Sequence, residues 1–160
     1  MATGNEPNLA EGPPRLRTFV VGVDVSPESL YSLDLAAAIG APYDAKLVVV
    51  HVRTHPGALG FSPGAAGEYE QTIHEVDDLV DAEVSKRLAD YSGESTVVMR
   101  DGHVGHELLD VAEEVGADLV VIGHRSHGPV RDAILGSVAA NTVHHSRRSV
   151  LVAIPPRVKA

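Results

Sequence analysis

Asp118-Leu-Val-Val-Ile-Gly123, running into His-Arg-Ser-His-Gly128-Pro-Val-Arg-Asp-Ala-Ile-Leu-Gly136-Ser137, is the stretch that decides how this chain folds. Its first part is apolar on successive residues, which suits a strand buried on both faces. Its second part is a loop with glycines and a proline that re-enters a helix at Gly136-Ser137. Four more apolar runs flank it: 18–24 (TFVVGVD), 46–52 (KLVVVHV), the short third run 95–99, and 149–154 (SVLVAI), which Pro155-Pro156 closes. Strands buried on both faces belong to a parallel sheet covered by helices.

Helical patterns fill the gaps. Ser26-Pro27-Glu28 is a helix start: a capping hydroxyl, a proline suited to the first position, and an acid at the positive end. Leu30, Leu33 and Ala37 recur at helical spacing up to Gly40, an expected stop. Residues 53–67 are rich in Gly, Pro and His and read as a loop; 68–91 read as an amphipathic helix through Ile73, Val76, Leu79, Val80, Val84 and Leu88. Two further helices are expected over 104–115 and 136–145. The order β-α-β-α-β-α-β-α-β predicts an α/β fold, a single-domain, doubly wound five-stranded parallel sheet sandwiched by helices. That domain spans 18–156, between a flexible tail at 1–17 and a short one at 157–160. Ligands in such sheets sit at the carboxyl ends of the strands. The residues to watch are 24–26, 51–55, 100–106 and 123–137.

Composition narrows the function. With 160 residues, 44% apolar and 22% charged, one folded domain is expected. No cysteine is present, so a thiolate nucleophile and a cysteine zinc site are excluded. No apolar run reaches the roughly 20 residues of a membrane helix, and the polar N-terminus is not a signal peptide. A cytoplasmic protein without membrane contact is the expectation. The net charge of −9 argues against nucleic acid as a partner. It also requires any phosphate site to use backbone N–H groups or local cations, such as Arg125 and Arg131. The Gly136-Ser137 helix start offers free N–H groups, a hydroxyl and the positive end of a helix dipole; a plain glycine turn with a serine cap is the competing account. The sequence lacks a P-loop, a G-x-G-x-x-G turn and a G-x-S-x-G elbow.

Gly22-Val-Asp24-Val-Ser26, Asp118-Leu-Val-Val-Ile-Gly123, Leu135-Gly-Ser-Val-Ala139 and Ser149-Val-Leu-Val-Ala-Ile154 occur in the order and spacing of the universal stress proteins. The chain resembles that family from about Thr18 to Pro155. The family pattern is a strand ending in an acid, then a late strand followed by G-x-x-G-x(9)-G-[ST]. The resemblance implies an adenine nucleotide as ligand, ATP first, with Mg²⁺ bound through the phosphates. It also implies a homodimer formed through the last strand. Carried over by position, Asp24 would face the ribose or metal side and Val50 would offer backbone to the adenine. Gly123 would line the ribose and phosphates, the loop Arg125, Ser126, His127 and Gly128 would close over them, and Gly136, Ser137 and Val138 would take the distal phosphates. The sequence departs from the pattern at Ser126, which stands where the second motif glycine belongs; Gly128 follows two residues later. Positive φ there would cost serine roughly 1–2 kcal/mol. Val25 likewise replaces a small residue.

No general base or nucleophile can be picked from the sequence. The reading is therefore a nucleotide-binding stress-response and signalling module with at most slow ATP hydrolysis. The alternative is a dimeric interaction module whose phosphate loop has drifted. His103-x-x-His106 and His124-x-x-His127 lack a third ligand at metal spacing, so no metal site is assigned. A parallel sheet would place His51, His55, His103, His106, His124 and His127 on the ligand rim. His144 and His145 suit a helix end, and so do Arg147 and Arg148.

Overall fold

The computed structural model describes residues 15–54, 65–124 and 136–156. The elements are β1 (Thr18–Gly22), α1 (Pro27–Gly40), a 3₁₀ turn (Ala41–Tyr43), β2 (Lys46–Arg53), α2 (Ala65–Arg87), β3 (Ser95–Asp101), α3 (Val104–Glu114), β4 (Leu119–Gly123), α4 (Ser137–His145) and β5 (Ser149–Ala153). All strand pairs are parallel, in the order β3-β2-β1-β4-β5. This is the expected doubly wound sheet. Its order reverses between β1 and β4, which is where such sheets leave a crevice.

Strand periodicity divides the core between two faces. Phe19, Val21, Leu47 and Val49 point to one face, with Leu33 of α1 and Val80 and Val84 of α2. Val20, Val48, Val50 and Val120 point to the other, with Leu108 and Val111 of α3 and Ala139 of α4. Register follows: Val20 lies between Val48 and Val120. Asp118 fixes that register at the amino end, where its carboxylate accepts the Arg17 and Thr18 N–H groups at 2.9 and 3.0 Å. β5 is an edge strand, with Val150, Leu151 and Val152 half-buried and Ile154 exposed.

Two local expectations change, and the expected stop at Gly40 holds for a packing reason. α2 begins at Ala65, inside the expected loop, and ends at Arg87. Gly40 does end α1, but in right-handed geometry (φ −77). A Cβ there would meet the Tyr91 hydroxyl at 2.7 Å, so packing demands the glycine. The left-handed residue that turns the chain is Asp44, φ 48. Arg148 does not serve the end of its own helix. Its guanidinium forks onto Glu113 of α3 at 3.2 and 3.0 Å, which holds the Glu113 carboxyl below its usual range.

Candidate functional site

The carboxyl ends of β1, β2 and β4 open into a cavity of about 760 Å³, within the range of small-molecule sites. The amino ends of α1, α3 and α4 also meet it, through Ser26 and Ser29, Val104, and Ser137 and Val138. Three positive dipole ends therefore face one space. Gly136 caps α4 with extended backbone and no side-chain bond, so the N–H groups of Ser137 and Val138 point out of the helix end unclaimed by a cap. Carboxylates are near as well: Asp24, Glu28 and Asp77 line the same cavity.

On the β1 side a ring of short-range hydrogen bonds builds the wall. Asp24 Oδ1 accepts from the Ser26 N–H at 3.1 Å and the Ser26 hydroxyl at 2.5 Å. The Ser26 hydroxyl oxygen in turn accepts the Ser29 N–H at 3.3 Å, capping α1. The buried Ser29 hydroxyl donates to the Ser26 carbonyl and accepts the Asp24 N–H, both at 3.1 Å. Val25 completes this turn at φ 56, a costly conformation for a β-branched residue. Gly123 ends β4 against the same helix start. A Cβ there would lie 2.5 Å from the Glu28 carbonyl oxygen and 2.9 Å from the Ser29 nitrogen. Its glycine admits the backbone of α1.

On the β2 side the ladder stops early. The Val50 carbonyl accepts the Val23 N–H at 2.9 Å, and the Arg53 carbonyl accepts the Gly102 N–H at 3.0 Å. Alternate residues of a parallel strand bond to opposite neighbours. Val52 therefore turns its N–H and C=O toward β1, as Val50 does. The next rung would join Val52 N–H to the Val23 carbonyl, but that carbonyl lies 2.8 Å from Nδ1 of the buried His51. A carbonyl only accepts, so Nδ1 carries the proton. Among the described residues, no backbone bond to Val52 replaces that rung. Its main-chain donor and acceptor border the cavity, with Ile73 and Val76 of α2 across from them.

The cavity thus gathers Asp24, Val50, Gly123, Gly136, Ser137 and Val138 from the sequence reading. Arg125, Ser126, His127 and Gly128, with Arg131, His55 and the rest of the phosphate loop, lie outside the described residues. His51 is the one described histidine of the expected rim that lines the cavity. His103 and His106 turn to one another instead, ring centroids 4.6 Å apart, and His106 faces His145 at 6.2 Å. Among the described residues, no group of three acids or histidines could hold a metal. The sequence reading placed Val52 and Arg53 within 51–55 without assigning them a role, and it missed Tyr69, Thr72 and Asp77; all five line the cavity. A strand running three residues past its neighbour's end was the available signal for Val52. Nothing local marks the α2 residues, because α2 reaches the site only through the fold.

Comparison with known proteins agrees with this architecture. The model of the universal stress protein family matches residues 15–153. Universal stress protein A homolog 1 of Coxiella burnetii is 32% identical over 141 residues, covering 83% of this chain and 92% of the relative. Among solved structures, universal stress protein UspA from Lactobacillus plantarum superposes with a TM-score of 0.73 at 19% identity, covering 87% of this chain and 98% of that one. A universal stress protein solved in complex with cAMP gives a TM-score of 0.64 at 24% identity, covering 87% and 98%.

Proposed function

We propose that this chain, which belongs to the universal stress protein family, binds an adenine nucleotide in the crevice at the carboxyl ends of β1, β2 and β4. The observation that carries the reading is the open backbone of Val52 on an apolar cavity whose far rim is the uncapped start of α4. One N–H beside one C=O matches the N1 acceptor and N6 donor of adenine. Val50, whose carbonyl is engaged by Val23, lies two residues short of that edge. Ile73 and Val76 cover the base, and the phosphates run toward Ser137 and Val138. The relative solved with cAMP has the same fold and an adenine ligand.

ATP would arrive at a rim that already holds Asp24 and Glu28. Helix dipoles offset part of that repulsion. Carboxylate oxygens suit a hard cation, so Mg²⁺ carried on the phosphates fits this rim. A second copy joined along the free edge of β5 belongs to the same reading, supported by its half-buried valines and by Ile154. The whole describes a stress-response module that senses nucleotide in the cytoplasm and changes partners.

Calorimetry and thermal melting with Mg·ATP, ADP and adenosine test the site. Ligand at a hundred times Kd adds about 2.7 kcal/mol to folding. Gly136→Val abolishes the shift by blocking approach to the α4 amides and leaves the apo melting curve cooperative. No heat and no shift at millimolar ligand overturns the nucleotide reading. Sedimentation of the same samples reads the dimer, and a monomer at micromolar concentration refutes it.

A further inference from the structure

The two halves of α2 have different supports. Its C-terminal half buries Val80 and Val84 in the core. From residue 69 to 79 no side chain is buried, and Leu79 is 49% exposed. Tyr69, Thr72, Ile73 and Val76 face the cavity instead. Val76 also packs, half-buried, against the core, and the rest of this inward face lies over the space.

A charged pair also ties this half to the sheet. Arg53, the last residue of β2, forks onto Asp77 with Nε to Oδ1 at 3.1 Å and Nη2 to Oδ2 at 2.5 Å. Its third nitrogen donates to Asp101 at the end of β3, at 3.2 Å. The Arg53 and Asp77 side chains are only 25% and 14% exposed. Bidentate, partly desolvated pairs are the strong class of ion pair. The Asp77 hydrogen bond also raises the Arg53 pKa. With its charge held by two carboxylates, Arg53 is not a phosphate ligand. It sits one residue after Val52, at the base end of the cavity.

We propose that Arg53 and Asp77 are positioning residues that latch the N-terminal half of α2 as the wall over the base, so that the ion pair and base binding stabilise each other. The proposal rests on the nucleotide reading above. A base entering the cavity buries the inward faces of Ile73 and Val76 and orders this half of the helix. Ordering opposes binding unless it is already in place. The latch supplies it in advance. The phosphates, at α4, feel the latch only through the base they carry.

Hydrogen exchange of the α2 amides and calorimetry with adenosine, which has no phosphate, read the two halves of this coupling. In the free wild type, amides 69–79 exchange faster than those from 80 to 87, and adenosine slows them. Asp77→Asn and Arg53→Gln speed exchange at 69–79 in the free protein and weaken adenosine about tenfold, the loss expected when pre-organisation is removed. Arg53→Lys, which keeps the charge but not the fork, falls between. A variant with a lowered melting temperature but wild-type adenosine affinity makes the pair merely structural and overturns the proposal. So does unchanged exchange at 69–79 in the free variants. If wild type binds neither adenosine nor ATP, the nucleotide reading and the coupling fall together. Free-state exchange then decides separately whether the pair holds the helix.

Discussion

The two walls of the crevice are built on opposite principles. The β1–α1 wall is a closed ring: Asp24, Ser26 and Ser29 bond to one another within five residues, and Gly123 locks the backbone of α1 against β4. The α2 wall has its first half over a cavity and is fastened through Arg53 and Asp77, 24 residues apart in sequence. The first wall is closed by its own hydrogen bonds, none of which needs a ligand. The second has stability to gain when the cavity fills. On the proposed reading, the closed wall would orient a ligand and the other would gain order as the cavity fills.

Breaking the rigid wall gives the largest effect. Gly123→Val drives side-chain atoms into the Glu28 carbonyl and the Ser29 nitrogen, and neither backbone group can give way. A loss of about 3 kcal/mol, at the upper end for overpacking, is expected from the urea midpoint. A loss below about 1 kcal/mol would show that α1 can slide away and that the wall is not rigid.

Ser29→Ala is the next largest. It removes a buried hydroxyl that donates to the Ser26 carbonyl and accepts from the Asp24 N–H. The Ser26 carbonyl keeps the Leu30 N–H at 2.9 Å, but the Asp24 N–H loses its partner, and an unsatisfied donor there costs about 2 kcal/mol. The Arg53 and Asp77 variants, on the yielding wall, should lose clearly less than that in the same denaturant series. Equal losses on both walls would erase the contrast.

The amino-terminal rim, remote from the crevice, provides the reference. Tyr91 donates its hydroxyl to the Ala45 carbonyl at 2.6 Å. Burial first, and then the Asp44 carboxylate, raises its pKa above the usual value. A phenol whose folded pKa lies above its unfolded one contributes stability that is complete below about pH 10 and disappears as pH rises through the folded value. Tyr91→Phe loses about 1 kcal/mol at neutral pH and flattens the alkaline limb of the stability curve. Ligand should leave that limb unchanged, because Tyr91 does not touch the cavity. A nucleotide-dependent alkaline limb would mean that the two ends of the sheet communicate.

Much of this molecule was legible in the chain. Five apolar runs gave five parallel strands, and Ser26-Pro27-Glu28 opened α1 where a capping hydroxyl and a proline place a helix start. Asp24, Gly123 and Ser137, singled out because strand ends and helix starts carry local signals, do line the cavity. What was not legible is tertiary. Gly123 reads as room for a ligand, yet it is the α1 backbone that fills the space. Val52 is exposed only because β2 outruns β1 and His51 takes the Val23 carbonyl. Asp77 is one of many acids along α2 until Arg53 selects it. Local patterns fix which backbone groups are hydrogen-bonded within a segment, because those partners lie within four residues. Which groups are left for a ligand depends on where neighbouring elements end, and only the packed sheet sets that.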